Sequence, residues 1–474
     1  MDRIYINLTT TKTQPPDTLH IPHTKGVRTL LGDPKKAVIK LSIPIIMGML
    51  THVVYHLTDA IFIAWLPSNA TESLAAVGFI FPLQFITMAV ANGIGTGGGA
   101  AISRKIGAKD REGANNVASH TVVVMLALAV LFTAAILLMS EPLVRGMGGR
   151  GEALRLAVIY ARILFSFSIF LFFLQVSTAI LRSEGDSKRA MYVMAAGTIL
   201  NIILDPVFIL KFKWGVAGAA CATILSMGMV SLVCFYWLFL EKKTYVSFKF
   251  KGFRFDRNII KDIARVGLPS SVSQMSIALM IISLNKIISM AGGTDGVTVF
   301  IVGWRIVSIA TLPMVGVSSA VVTIIGAAYG AKEFKKIRIT YMYAVKIGTS
   351  VETLIGVTLF ILAPQIAWLF TQSEGSARIT DDLIWFLRII GLFFPTIPTG
   401  MISAALFQGV GKGGVTLIMT IIRTIIFTVP LVWFLGISLD YGLMGIWTGI
   451  IGAGILSVPM AFGWSMYYMQ RIKS

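Results

Sequence analysis

Two carboxylates lie inside runs that are otherwise apolar: Asp59 in PIIMGMLTHVVYHLTDAIFIAWL and Asp205 in YVMAAGTILNIILDPVFIL. Deep in a bilayer such a group costs about 2.5–3.5 kcal/mol on insertion scales, so it marks an ion pathway, a proton relay or a water-filled cavity. The structural alternative is a buried carboxylate tied up by hydroxyls or backbone. His52 and His56 share a helical face with Asp59 at spacings of four and three. That arrangement suits a transition metal, a proton relay or cavity lining by His56, or plain packing with a satisfied ring nitrogen. No third or fourth metal ligand is evident from another segment. Pro206, directly after Asp205, removes a backbone donor and frees the carbonyl of residue 202. The freed carbonyl either orients water or a cation or marks an ordinary transmembrane kink.

Hydropathy sets the elements that must hold these groups. The mean hydropathy is +0.80, and 55% of the residues are hydrophobic against 13% charged, which excludes a soluble domain. About 20 apolar residues cross the roughly 30 Å of hydrocarbon. Twelve such segments lie near 39–66, 74–101, 116–140, 152–178, 188–212, 215–240, 262–290, 297–328, 338–363, 380–407, 413–436 and 443–468. Backbone polar groups must be satisfied inside the bilayer, so these are helices; barrel strands would be shorter and would alternate. The expected fold is an all-α polytopic membrane protein.

A net charge of +19 does not indicate nucleic acid, because Lys and Arg gather in short connections between the apolar runs. Basic groups mark the arm (Lys25, Arg28, Lys35, Lys36, Lys40) and then alternate connections, among them Arg104 to Arg111, Arg182 to Arg189, Lys242 to Lys261 and Lys332 to Arg338. PSNATES, AGGTDG and GISLDYG carry none. The positive-inside rule puts both termini in the cytoplasm, with the bilayer and its anionic headgroups as partner. The polar arm, 1–38, with Pro15-Pro16, reads as disordered or surface-lying, and no cleavable signal peptide is visible. Cys221 and Cys234 imply neither a disulfide framework nor a thiolate metal site.

The halves resemble one another at an offset of about 225 residues. Gly107-Ala108-Lys109 falls on Gly330-Ala331-Lys332, Ala179-Ile180-Leu181 with Gly185 on Ala405-Leu406-Phe407 with Gly411, and Trp214-Gly215-Val216 on Tyr441-Gly442-Leu443. Two parallel six-helix copies follow: an N-lobe over 39–240 and a C-lobe over 262–474, joined by a basic cytoplasmic linker over 241–261. Phe248, Phe250, Phe253 and Phe255 interleave with the linker's basic residues, as an amphipathic strip or as interfacial aromatics on a solvated connector. The glycines at 93, 95, 97, 98 and 99 lack the Gly-Lys-Ser/Thr ending of a phosphate loop and suit close helix packing.

Pro44 followed by Tyr55 and Asp59, the loop Leu181-Arg182-Ser183-Glu184-Gly185-Asp186, the segment Asn201-Ile202-Ile203-Leu204-Asp205-Pro206, and the second-half loop Leu406 to Lys412 together resemble the multidrug and toxic compound extrusion (MATE) transporters over nearly the whole chain. The resemblance is to prokaryotic, archaeal-type members. It implies an antiporter that exports amphipathic, often cationic, organic compounds in exchange for Na+ or H+, with a cation site in the N-lobe. Matching positions are Asp59, Asn201, Asp205 and Thr223 for the cation, and Tyr55 and Gln175 for the cavity. Pro44 matches a hinge of the first helix, with a place in its first turn as the alternative; Pro206 is a second hinge candidate.

The residues agree with that chemistry. Asn201 and Asp205, four apart, share a helix face, and with Asp59 and Thr223 they offer the oxygen ligands a hard cation prefers. Two neighbouring carboxylates in low dielectric raise one another's proton affinity, so H+ and Na+ are competing uses of one site. The C-lobe has no carboxylate at the corresponding places; it has Lys286, Arg305, Lys346, Glu352 and Arg423 in or near apolar spans. Arg305 and Arg423 are expected to lie deep, and fixed positive charge there would favour an anionic or zwitterionic substrate. The leading expectation is therefore a secondary antiporter, working without a cofactor and as a monomer in a prokaryotic cytoplasmic membrane. The alternatives are a flippase of lipid-linked saccharides, an exporter of anionic or zwitterionic metabolites and, remotely, a membrane-embedded enzyme.

Overall fold

Each long apolar run becomes a helix whose ends are set by polar caps. Asp110 accepts the Gly113 amide (2.7 Å) and Asp186 the Arg189 amide (3.2 Å), so the helices beginning at Arg111 and Ser187 start where basic connections end. The computed structural model describes residues 24–64, 70–241, 243–248, 253–372 and 377–472.

A short helix α1 (Lys25–Leu31) leads into α2 (Pro34–Ala64), α3 (Ala70–Gly107) and α4 (Arg111–Gly146). The next span, α5, is the pair Gly151–Ser166 and Ser168–Ser183, bent by 51°. Then come α6 (Ser187–Lys211) and α7 (Gly215–Leu240). The second half begins with α8 (Arg257–Ala310) and α9 (Leu312–Gly330), followed by α10 (Phe334–Phe370), α11 (Thr380–Gly409), α12 (Gly413–Ser438) and α13 (Gly442–Arg471).

At 54 residues, α8 would extend about 80 Å if straight, far beyond a bilayer. It instead folds back at Gly293, whose φ of 56° is open to glycine at little cost. The reversal shows in packing, since Gly296 sits against the Ile288 side chain. A loop around AGGTDG was expected here; the structure keeps helix on both sides of a single reversed glycine. The two arms of α8, the second continued by α9, thus supply two spans, and the described residues form twelve in two six-helix bundles. Two spans expected to be continuous are broken. α5 bends at Phe167, and α11 passes through a 3-10 turn at Phe394–Thr396, where Pro395 and Pro398 withhold two backbone donors.

The internal repeat is visible in backbone detail. Lys109 and Lys332, from the duplicated Gly-Ala-Lys, both adopt positive φ (58° and 59°), as do Lys213 and Asp440 (56° each). The glycines of α3 serve three neighbours. Gly93 and Gly97 meet the backbone of α8 at Gly267 and Ile263, Gly95 meets Ala179 of α5, and Gly98 meets Thr121 of α4. Without a Cβ, helix backbones approach closely, which is how association in lipid is stabilised.

Candidate functional site

The N-lobe site is built on α2 and α6, which run side by side. Gly48 lies against Met191 and Met194, and the Thr198 hydroxyl donates to the Thr51 carbonyl (3.2 Å). Contacts advance together along both helices, so they are parallel. At about 1.5 Å per residue, the backbone at Asp59 and that at Asp205 lie at nearly the same height above this contact. The side chains of Asp59, Tyr55, His56 and His52 lie outside the described residues.

Asn201 and Asp205 are both 0% exposed. The Asn201 amide nitrogen donates to Asp205 Oδ1 (3.2 Å), and Asn201 Oδ1 has no hydrogen-bond partner among the described residues. Asp205 is the last α-helical residue, and from Pro206 to Lys211 the helix widens to a π-helix. Pro206 cannot donate to the carbonyl of residue 202, so the ladder is re-registered where the carboxylate sits, a feature common at functional sites. Thr223 is buried on α7, which packs against α6; both Asp205 and Thr223 are engaged in further interactions. Gln175 is half-buried on the second arm of α5, its carbonyl accepting the Thr178 hydroxyl (3.0 Å). Pro44 is buried well inside α2, which starts at Pro34, so it is not a first-turn proline. Among the described residues no three His, Cys, Asp or Glu converge as a metal site.

In the C-lobe an arginine, and no carboxylate, is found among the described residues that line the cavity. Two adjoining chambers of about 230 and 300 Å³ share Ile277, Val315, Met401 and Arg423. Arg423 is half-buried in the π-helical stretch Ile422–Thr428 of α12. Arg305, expected to be deep, is exposed, as are Lys286 and Lys346. Glu352 is 0% exposed on α10, and neither carboxylate oxygen has a partner among the described residues.

Within the loop Leu181 to Asp186, Glu184 has a task its motif does not announce, that of holding the linker. Glu184, 1% exposed at the end of α5, accepts the Tyr245 amide (2.8 Å) and the Val246 amide (2.9 Å). Burial pushes its pKa up to about 7 against those two hydrogen bonds. Beside it Asn115 accepts the Ser247 amide (2.8 Å). His120 Nε2 accepts the Asp256 amide (2.9 Å) while Nδ1 donates to the Asn116 carbonyl (2.8 Å), which fixes the tautomer. Phe253 covers the His120 ring (4.6 Å between centroids) and Phe248 stacks on Phe239 (4.4 Å). The aromatics at 248 and 253 therefore pack on the first bundle; residue 250 lies outside the described residues. A buried Glu in a short interhelical turn was the available signal.

At this same end the bundles are closed on each other. Arg104 forms a bidentate pair with Asp262 (2.8 and 2.9 Å) and donates to the Gly409 carbonyl (3.1 Å). Gly107 lies on the Ala327 carbonyl and its repeat mate Gly330 on the Arg104 carbonyl.

Comparison with known proteins places this architecture. The MatE family profile matches residues 44–207 and 269–434, once in each half and over more than half of the chain. The chain is 24% identical over 424 residues to the multidrug export protein MepA of Staphylococcus aureus (strain MRSA252), covering 89% of this chain and 92% of that protein. Over 419 residues it is 27% identical to MepA of Staphylococcus saprophyticus, covering 88% and 89%. Among solved structures it matches a MOP superfamily transporter from Pyrococcus furiosus, described as having a binding pocket of reverse polarity that suggests a different function. The identity is 42% and the TM-score 0.91, over 95% of this chain and 99% of that one. An outward-facing multidrug resistance MATE family transporter matches at 43% identity with the same TM-score and coverage. With twelve spans in two bundles and both halves matched by the family profile, the chain belongs to the MATE family and is a membrane transporter, not an enzyme.

Proposed function

We propose that the chain is a cation-coupled antiporter that exports small amphipathic organic compounds by alternating access, in exchange for Na+ or H+. The observation that carries this reading is the fully buried Asn201–Asp205 pair at the α-to-π transition of α6, level with the backbone of Asp59 on α2. A carboxylate in such a place is stable when it holds a proton or a cation, and either one changes the charge of the lobe. Thr223 completes the oxygen set, while Tyr55, His56 and Gln175 line the adjoining cavity. Pro44 and Pro206 are the points at which α2 and α6 bend. Coupling requires the ion to bind one of the two facing states more tightly, since equal affinity shifts nothing.

The basic connections, with the linker among them, face the cytoplasm of a prokaryotic cell in this reading, and both termini lie there. The closed end described above is then the cytoplasmic one, and the conformation is outward-facing, like the relative named for that state. The chain acts as a monomer without a cofactor, as an N-lobe (39–240), a linker (241–261) and a C-lobe (262–474) after its arm (1–38).

The deciding experiment is efflux of a fluorescent cationic dye from proteoliposomes under an imposed Na+ or pH gradient. Efflux driven by one gradient and lost in Asp205→Asn is the expected result and names the ion. Gradient-driven efflux that persists unchanged in both Asp59→Asn and Asp205→Asn overturns the site.

A second reading, export of anionic or zwitterionic compounds, is favoured by Arg423, which among the described residues is the one charged side chain lining the C-lobe chambers. The reverse polarity described for the Pyrococcus furiosus relative points the same way.

A further inference from the structure

Arg423 lines both C-lobe chambers. A guanidinium stays charged at any physiological pH, and enclosing it without a counter-charge is costly. Yet no Asp or Glu lines either chamber, and Arg423 has no ion pair among the described residues. Its surroundings are rich in uncommitted donors. Ser270, only 6% exposed, has a hydroxyl with no partner among the described residues. Gln274 and Gln408 line the same chamber, and neither side-chain amide is hydrogen-bonded among the described residues. The neighbouring hydroxyls of Ser318 and Thr416 are already spent on the Met401 and Ala404 carbonyls. The other chamber is walled by Met280, Leu284, Trp304, Phe393 and Ile397. An Arg fork and free amide and hydroxyl donors beside an apolar pocket describe one kind of ligand.

We propose that the C-lobe cavity is an anion subsite that seats the acidic group, carboxylate or phosphate, of an amphipathic substrate on Arg423, with Gln274, Gln408 and Ser270 as further donors. The apolar body of that substrate enters the chamber lined by Trp304 and Phe393. The proposal rests on the exporter reading and adds an acidic class of substrate, bound in the C-lobe, to the cationic compounds that the dye experiment follows. Arg423 is held for this by the π-helical turn it occupies, whose Thr428 hydroxyl donates to the Arg423 carbonyl (2.8 Å).

The test is equilibrium dialysis of the full-length protein in lipid nanodiscs against 2-naphthoate and its methyl ester, which share a body and differ in charge. Wild type is expected to bind the acid about tenfold more tightly than the ester, the discrimination expected of one charge-assisted pair. Arg423→Met is expected to erase the preference while leaving ester binding unchanged, and Arg423→Lys to restore part of it. Equal affinity of wild type for acid and ester, or a preference that survives Arg423→Met, overturns the proposal. If Arg423→Met does not fold, Gln274→Leu, expected to weaken acid binding about threefold, takes its place. Nanodiscs of phosphatidylglycerol and of phosphatidylcholine separate the two sources of the acidic group. Weaker naphthoate binding in the anionic discs supports the subsite with a lipid headgroup as occupant, and equal binding supports it with a soluble acid. The coupling-ion reading stands or falls separately, on the Asp205→Asn gradient experiment.

Discussion

The fifth spans of the two bundles, α6 and α12, share a backbone device and carry opposite charge. Both leave the α-helical ladder for a π-helical stretch, at Pro206–Lys211 in one and Ile422–Thr428 in the other; Pro206 opens the first stretch, and Pro430 lies just past the end of the second. The first presents a buried Asn201–Asp205 pair; the second has Thr428 and Val429 there and presents Arg423 one turn earlier. A duplicated backbone provides two widened helices, and a few side chains decide which attracts a cation and which an anion. The turns before these spans diverge in the same way. Glu184 holds the linker by two amides, while Val410, at the matching place, is simply buried.

The largest expected effect is at the acidic end of this contrast. Asp205→Asn should lower gradient-driven efflux about 100-fold, the loss of roughly 2.7 kcal/mol of differential ion affinity. Asn replacing Val429 should leave efflux near wild type, and comparable losses from the two substitutions would break the asymmetry between the bundles.

Glu184 sharpens the contrast through pH. Burial pushes its pKa up to about 7, above the ordinary carboxylate value of about 4.3, so the folded turn as a whole favours the protonated form although the Tyr245 and Val246 amides favour the carboxylate. The stabilisation is complete below the unfolded value and is lost as pH rises through about 7, an effect on the order of 3–4 kcal/mol. Amide exchange at Tyr245 and Val246, corrected for intrinsic rates, should therefore lose protection between pH 5 and about 8. Glu184→Gln should flatten that profile. A flat wild-type profile would remove the linker's dependence on this carboxylate.

Where the bundles are alike, they should respond alike. Gly107→Leu and Gly330→Leu each place a side chain against a facing carbonyl, at a cost of about 1–3 kcal/mol. Both should widen the distance between spin labels set across the closed end. Widening by one substitution alone would mean the closure is not two-fold in energy. The smallest effect belongs to Arg104→Gln. Its partner Asp262 is 44% exposed, so the loss should be about 1 kcal/mol or less, read as a shift of the same distance distribution toward the open state.

Much of the fold is legible in the sequence alone. Runs of apolar residues long enough to cross a bilayer can only be helices, so hydropathy gave twelve spans, and the Gly-Ala-Lys repeat gave the duplication. The glycines of α3 were rightly read as packing positions, although which helix each one meets depends on the fold. Structure and hydropathy part company where a break in a helix costs little. Gly293 reverses the chain without a loop, Phe167 ends half a span, and prolines in α11 permit a turn that hydropathy cannot register. Arg305 looked as deep as Arg423 in a linear count because a helix has two faces and the sequence does not say which one meets a neighbour.

For the candidate site, the chain by itself determined the chemistry: two carboxylates in apolar runs, an asparagine one turn from the second, and a proline after it. Local rules suffice for that, since spacing along one helix fixes a shared face. Only the tertiary structure decided that α2 and α6 run parallel with Asp59 and Asp205 at one height, that Arg423 enters a chamber with no acid, and that Glu184 closes over the linker. Each depends on helices far apart in sequence coming into register, and that register is set by glycine contacts and carbonyl positions across the bundles rather than by any single segment.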